Sequence, residues 1–176
     1  MMQLTRIVLK MLPTVLVAGL LTATAVADDG GVVSTLIGSS PGQSVGGVPS
    51  GGAPWAVSKA HVTLNGGGHF NLVVDGLILP STGNAGPVSQ VSASLVCGGS
   101  GGTVAATTGA VPLSTSGDAH IHEKITRPAS CIAPVILVRA AVVNGATLAQ
   151  PPFIAVSGFS SSSKGKGSNE PDSGDN

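Results

Sequence analysis

The segment from Ala60 to Val74 constrains the fold most strongly, because apolar and polar residues alternate on both sides of Gly66-Gly67-Gly68. Period-two alternation is typical of a strand with one buried face. Only a loop with an odd number of residues lets the two apolar sets face each other, so a three-residue glycine loop pairs Leu64 with Phe70. The same register pairs Val62 with Leu72, Ala60 with Val74, and Lys59 with Asp75. The sequence therefore predicts a β-hairpin.

Further period-two segments follow, separated by clusters of glycine, serine, proline and asparagine that favour turns. The predicted strands span residues 88–97, 103–113, 119–126, 134–143 and 153–159. No stretch has the 3.6-residue periodicity of an amphipathic helix. Together with the hairpin, this pattern predicts one all-β domain over residues 55–159. We expect an antiparallel β-sandwich of about seven strands, immunoglobulin-like or Greek-key in topology.

Two regions flank this domain. Residues 28–54 are rich in glycine, serine and proline, and residues 160–176 contain no apolar side chain. Such compositions bury too little surface to offset the entropy of ordering. The first region is therefore predicted to be a flexible segment and the second a disordered polar tail. Within the first region, residues 32–37 are apolar enough to form an edge strand, and the sequence leaves this open.

The first 27 residues have the pattern of a signal peptide. Arg6 and Lys10 precede an apolar run that ends in Ala25-Val26-Ala27, the small-x-small motif of a cleavage site. Pro13 and Gly19 interrupt the run, which is too short for a convincing membrane span. We therefore expect a secreted or periplasmic protein without a membrane span after signal removal.

The chain has two cysteines, Cys97 and Cys131. An even number in an exported chain favours a disulfide, because oxidising compartments preserve such bonds. Neither cysteine belongs to a C-x-x-C motif, which would lower a thiol pKa for redox catalysis. The sequence predicts a structural Cys97–Cys131 bridge, which would stabilise the fold by roughly 3 to 4 kcal/mol in the loop-entropy model.

Composition argues against several functions. The formal net charge is +0, and the chain has one Trp, three Phe and no Tyr. It lacks the basic patches and stacking aromatics that nucleic-acid binding uses. Residues 42–46 fit the G-x-S-x-G pattern of a nucleophile elbow, but they lie in a glycine-rich segment instead of a strand–turn–helix. We therefore expect neither a nucleic-acid partner nor an enzyme, and the ligand stays unknown.

Residues 117–123 (Gly-Asp-Ala-His-Ile-His-Glu) carry the strongest chemical signal. Residues two apart on a strand project from the same face, so His120 and His122 offer two imidazoles to one copper or zinc ion. A third ligand would come from the hairpin, where His61 and His69 lie on the polar face near opposite ends. His69 is the candidate. The alternative is that these histidines are solvent-facing residues without a metal, so that the protein has no cofactor.

Glu123 is two residues from the apolar residue Ile121, so on a strand it projects from the same face. A buried carboxylate without a partner is very costly. We therefore expect the strand to end or bulge there, or the carboxylate to pair with Arg127 or Arg139.

The segment His120-Ile121-His122-Glu123 resembles the H-[VI]-H-E copper-ligand segment of copper/zinc superoxide dismutases. Gly68-His69-Phe70-Asn71 resembles their G-P-H-F-N ligand segment, with glycine in place of proline. The two motifs occur in reverse order, and too few histidines remain to build the zinc site. The resemblance implies an exported metal-dependent oxidoreductase that uses His120, His122 and His69.

A second resemblance covers about 80 residues and is to an uncharacterised group of exported bacterial all-β proteins. It rests on Pro54-Trp55, on the segment Gly76-Leu77-Ile78-Leu79-Pro80, and on Cys131-Ile132-Ala133-Pro134. It implies export and the fold, and no activity. The sequence thus favours a secreted non-enzymatic β-sandwich, an envelope or extracellular binding or structural module. The alternative is an exported copper- or zinc-binding protein or a superoxide-dismutase-like oxidoreductase.

Overall fold

The computed structural model describes residues 30–158, and within them it is all-β. The predicted signal peptide and the predicted tail, residues 160–176, lie outside the described residues. The first sheet has the strand order β1 (Val32–Ser34), β5 (Lys59–Leu64), β6 (His69–Asp75) and β10 (Ala119–Lys124). The second has the order β2 (Leu36–Gly38), β13 (Phe153–Ser157), β11 (Val135–Val143), β7 (Val88–Cys97) and β8 (Thr103–Thr107).

Four short strands and one 3₁₀ helix (Gly99–Gly101) complete the architecture. Strand β9 (Val111–Pro112) pairs with β7, β12 (Ala146–Thr147) pairs with β11, and β3 (Ser44–Val45) forms a hairpin with β4 (Val48–Pro49). The paired strands of both main sheets are antiparallel. The chain crosses between the sheets at β1–β2, from β2 through β3–β4 to β5, and at β6–β7, β9–β10 and β10–β11, as in Greek-key sandwiches. The predicted antiparallel β-sandwich is confirmed.

The predicted hairpin register is confirmed at every pair. Lys59 lies opposite Asp75, and the pairing continues without a shift to Leu64 and Phe70. The turn is closed by the Asn65 amide, which donates to the carbonyl of His69 (3.1 Å). Gly68 has a φ of +83°, the left-handed conformation expected at the bulge position of a three-residue loop.

The predicted strand over residues 103–113 is interrupted. It consists of β8 and β9, and Thr108 lies between them. The Thr108 hydroxyl accepts a hydrogen bond from the Ala93 amide (2.9 Å), while the Thr108 amide donates to the Ala93 carbonyl (2.9 Å). Both backbone groups of Ala93 are therefore bound by one residue, and the chain turns there.

The main core lies between the two sheets. Period-two alternation directs one face of each strand inward, where the side chains pack in one cluster. Its largest fully buried members include Phe70, Leu64, Leu72, Leu95, Ile121, Ile136 and Ile154. The buried Trp55 and Leu36 also belong to it.

The prediction that residues 28–54 form a flexible segment is wrong for the part described, residues 30–54. Residues 32–34 form β1 and residues 36–37 lie in β2. These two strands join the two sheets as edge strands, and the hairpin β3–β4 follows. Val48 is 6% exposed and packs with Val96, Leu137 and Phe153 on the outer side of the second sheet. The domain therefore begins before residue 55, because an apolar patch from three distant strands anchors a locally polar segment.

Backbone hydrogen bonds hold the same segment in place. The Gly46 amide donates to the carbonyl of Ser100 (2.9 Å), and the Gly51 amide donates to the carbonyl of Phe153 (2.9 Å). The Trp55 amide donates to the carbonyl of Ser39 (2.9 Å), whose side chain is buried. These bonds satisfy backbone groups that the glycine-rich sequence cannot satisfy locally.

The predicted disulfide is confirmed between Cys97 and Cys131, with a Cα–Cα distance of 5.0 Å. It joins the end of β7 to the connection that leads from β10 to β11. This connection has no secondary structure of its own from residue 125 to residue 134. The bridge therefore restrains an irregular crossing between the sheets at the same end as the β7–β8 turn.

Candidate functional site

The outer face of the first sheet carries all four histidines of the chain. Alternation on β5, β6 and β10 turns their apolar residues into the core and their polar residues outward. We call this surface the histidine face; its members are Val33, Lys59, His61, Thr63, His69, Asn71, Val73, Asp75, His120, His122 and Lys124. Two exposed valines lie among these groups, Val33 at 72% and Val73 at 37% exposure.

His120 and His122 project from the same face of β10, as predicted, and both are exposed. Their ring centroids are 6.4 Å apart and the ring planes are tilted by 57°. Nε2 of His120 lies 2.8 Å from Oδ1 of Asn71, and in the tautomer that makes this hydrogen bond Nε2 is the donor. A histidine held in this way through one ring nitrogen resembles the arrangement in which metal ligands are oriented by an outer partner.

The structure places His69 on the neighbouring strand, where it pairs with Lys124. His69 is two residues from Asn71, the partner of His122, and is thus a diagonal neighbour of His122. The two segments that resemble superoxide dismutases are therefore hydrogen-bonded to each other on β6 and β10. Within residues 30–158, however, no three histidine, cysteine, aspartate or glutamate side chains converge closely enough to hold a metal ion.

His61 lies on the far side of Val73 from His120. One strand separates their strands, so their backbones are about 10 Å apart. His61 and His69 are near opposite ends of the hairpin, as the predicted register requires. The structure thus brings His120 and His122 together and keeps His61 apart from them.

The carboxylate of Glu123 accepts a hydrogen bond from the Gly109 backbone amide (2.8 Å). Glu123 is exposed, although it projects from the same face of β10 as the buried Ile121. Strand β10 is an edge strand, and there an inward-pointing side chain still reaches solvent. The expectation of a pair with Arg127 or Arg139 is wrong, since a backbone amide is the partner.

Asp118 organises the turn before β10. Its carboxylate accepts hydrogen bonds from the hydroxyls of Ser116 (2.7 Å) and Ser114 (3.1 Å) and from the amide of Gly76 (3.0 Å). These bonds, led by that from Ser116, hold the pKa of Asp118 below its usual value of 3.8. The carboxylate ties the start of β10 to the end of β6, so its role is structural.

Arg139 is the one charged residue of the second sheet among the described residues. Its Nε donates to the carbonyl of Pro151 (2.8 Å), and Nη1 lies 3.4 Å from Oγ of Ser94. Desolvation lowers the pKa of this guanidinium. Its contacts bind the loop before β13 to the sheet, and it is far from the histidine face.

A groove of about 440 Å³ lies at one end of the histidine face. Its lining consists of Gly66, Gly67, Gly68, Lys124, Ile125, Thr126 and Arg127. Arg127 is half-buried and donates Nη1–H to the carbonyl of Asn65 (2.7 Å). From the sequence, these glycines are predicted only to form a turn. The groove forms because the hairpin loop packs beside the segment after β10, a long-range contact with no local signal.

The structure also reveals Asn71 as a functional candidate, whereas the sequence marks it only as part of a motif. Its position opposite His122 follows from the β6–β10 register, which no sequence pattern specifies. Comparisons with protein-family models, with curated proteins and with solved structures find no match to this chain. Residues 30–158 contain no helix long and apolar enough to cross a membrane.

Proposed function

We propose that this protein is an exported, non-enzymatic β-sandwich that acts as an envelope or extracellular binding module through its histidine face. One observation carries the proposal. All charged side chains of residues 30–158 except Arg139, together with all four histidines, lie on or directly beside β5, β6 and β10. Lys59, Asp75 and Lys124 share the histidine face with the four histidines, and this concentration of polar and charged groups favours a recognition surface over a general solvent-facing one.

The outer sides of the two sheets differ in a way that supports this choice. On the second sheet, Val96, Leu137 and Phe153 are covered by the β3–β4 hairpin of the chain itself. The second sheet leaves Val104 of its edge strand β8 exposed at 37%, whereas on the first sheet Val33 at 72% and Val73 at 37% lie exposed among the polar residues of the histidine face. A face that mixes apolar and hydrogen-bonding groups is suited to contact with a ligand.

The location rests on the signal-peptide pattern of residues 1–27 and is supported by the Cys97–Cys131 disulfide. Structural disulfides persist in oxidising compartments outside the cytoplasm. The periplasm, the cell surface and the medium are all oxidising in this sense.

The test of export is fractionation of cells that express the full chain, followed by intact-mass measurement. We expect a product that begins at Asp28 and is found outside the cytoplasm. A chain that keeps residues 1–27 and stays in the cytoplasm would contradict the proposal.

The binding role is tested by charge and shape changes on the histidine face, for example Val73→Glu, compared with Val104→Glu on the second sheet. Both valines are 37% exposed, so they are matched in accessibility. Retention of the purified protein on isolated cell envelopes should be lost only with Val73→Glu. Equal retention of both variants would remove the histidine face as the binding surface.

A second candidate is an exported copper- or zinc-binding protein that uses His120 and His122, with His69 as the nearest further histidine. The observation that favours it is the orientation of His120 by Asn71 beside His122. Imidazole nitrogens suit both ions, and Cu²⁺ binds such sites most tightly among the first-row dications. A bound ion would be held by these imidazoles, and water would complete its coordination shell.

The untagged protein distinguishes the two candidates. A metal that binds only the folded state raises the free energy of unfolding by RT ln(1 + [L]/Kd), so the melting temperature rises with metal concentration. Under the leading proposal, copper and zinc leave the melting temperature unchanged, and the double variant His120→Thr/His122→Thr melts like the wild type. A metal-dependent rise that the double variant loses and the control variant His61→Thr keeps would favour the second candidate.

A further inference from the structure

We propose that the groove at the end of the histidine face binds a phosphate group, either free or on a phospholipid headgroup. The inference rests on the proposed binding function and names its ligand chemistry. The groove lies between the Gly66–Gly68 turn and the segment from Lys124 to Arg127.

The charge in the groove is of one sign. Lys124 and Arg127 both line it, and no acidic side chain does. His69, which pairs with Lys124 on β6, adds a third nitrogen-bearing side chain beside the rim. None of the described carboxylates lines the groove: Asp75 lies opposite Lys59 at the other end of the hairpin, Asp118 is bound by serines and Gly76, and Glu123 is bound by the Gly109 amide.

The backbone of the turn supplies donors in addition to these cations. Gly68 donates its amide hydrogen to the carbonyl of Asn65 (3.0 Å). For the amides of Gly66 and Gly67, the structure shows no backbone acceptor within residues 30–158. Successive amides in a turn that ends in the left-handed conformation form a concavity that attracts anions.

A side chain cannot replace the glycine at position 68 without displacing the segment after β10. A Cβ at Gly68 would collide with the backbone carbonyl oxygen of Ile125. The close approach of the loop to the segment after β10 therefore requires glycine, and it brings the amides near Lys124 and Arg127.

Phosphate fits this donor set better than a carboxylate does. A tetrahedral anion presents three or more oxygens and can be contacted from both walls of an open groove at once. A lysine ammonium serves as a point charge for phosphate, and an arginine guanidinium donates in a planar fork. Arg127 uses one of its N–H groups for Asn65 and keeps others for a ligand.

The test is an NMR titration of the ¹⁵N-labelled mature protein with sodium phosphate, with sodium acetate at equal ionic strength as the comparison. We expect saturable shifts of the Gly66, Gly67 and Gly68 amides with phosphate only. Lys124→Gln should weaken the phosphate affinity by about 3- to 10-fold, as expected for loss of one partly exposed charged contact. Lys59→Gln is the matched control, because it removes an exposed lysine from the same face away from the groove. It should leave the affinity unchanged.

Vesicles distinguish the two sources of phosphate. The wild type is tested for cosedimentation with phosphatidylglycerol/phosphatidylcholine vesicles and with phosphatidylcholine vesicles alone. If it cosediments only with the former and Lys124→Gln loses this cosedimentation, the ligand is a phospholipid headgroup. Binding of free phosphate alone would assign the soluble anion. Equal shifts with acetate, equal weakening by both lysine variants, or no shift at the glycines would overturn the inference. Envelope retention that is lost in Val73→Glu, together with no phosphate-induced shift at the glycine amides, would keep the proposed function and remove only the phosphate site.

Discussion

Oδ1 of Asn71 lies 2.8 Å from Nε2 of His120, across the ladder between β6 and β10. Asn71 is directly opposite His122, so the contact with His120 is diagonal. The amide thereby orients one of two adjacent imidazoles on the histidine face. This ties the edge strand β10 to β6 by a side-chain contact in addition to the backbone ladder.

Loss of the disulfide should lower stability substantially. Cys97→Ser/Cys131→Ser frees the crossing between β10 and β11, and we expect a loss of about 3 kcal/mol in the free energy of unfolding. For a domain of this size that corresponds to a fall of roughly 10 °C in melting temperature. Calorimetry measures it, with the reduced wild type as control. Free thiols in the non-reduced wild type would contradict the assignment.

Val48→Ala should destabilise the protein by about 1.5 to 2.5 kcal/mol, because it removes two methyl groups from the patch formed with Leu137 and Phe153. Val33→Ala makes the same chemical change at a residue that is 72% exposed and should cost less than about 0.5 kcal/mol. Urea unfolding of both variants provides the comparison. Equal effects would mean that the β3–β4 hairpin does not pack on the second sheet.

Gly117→Ala should cost about 3 kcal/mol or more. Gly117 has a φ of +85°, and a Cβ there would collide with the backbone of Leu77. Gly83→Ala is the matched control: Gly83 has a φ of +69°, but a Cβ added there would meet no atom within 4 Å. We expect only the conformational cost of about 1 to 2 kcal/mol there. A smaller effect at Gly117 than at Gly83 in thermal unfolding would refute the close contact with Leu77.

Asp118 should make the free energy of unfolding depend on pH in the acid range. Hydrogen bonds lower its pKa in the folded state, so its contribution is fully present above the ordinary value of 3.8. It is lost as the pH falls through the lower folded pKa, where the carboxylate gains a proton. Asp118→Asn should therefore flatten the stability profile below about pH 4, and Ser116→Ala should reduce the same dependence. Urea unfolding between about pH 6 and about pH 2 measures both. Superimposable profiles of the wild type and both variants would show that these bonds do not stabilise the carboxylate.

The hairpin and the disulfide were both predictable from sequence, for local reasons. Alternation on both sides of Gly66-Gly67-Gly68 admits only the register that pairs Leu64 with Phe70, because a shift by one residue would expose an apolar set. Two cysteines leave one intramolecular pairing. The shared face of His120 and His122 likewise follows from strand periodicity alone.

The covering of the second sheet has a partial signal in the sequence. Residues 135–138 (Val-Ile-Leu-Val) and 153–156 (Phe-Ile-Ala-Val) are continuously apolar, which is typical of strands buried on both faces. Such strands require a cover on the outer side. The sequence does not show which segment supplies it.

Only the tertiary structure decided how distant segments meet. Local composition predicts a flexible segment over residues 28–54, yet Val48 finds its partners in β7, β11 and β13, far along the chain. The contact of Asn71 with His120 and the groove beside Gly68 depend on the pairing of β6 with β10, whose residues are 49 apart at the hydrogen bond. Alternation dictates which face a side chain occupies within its own strand. Which strands become neighbours depends on the burial of the whole core, and that is a property of all the strands together.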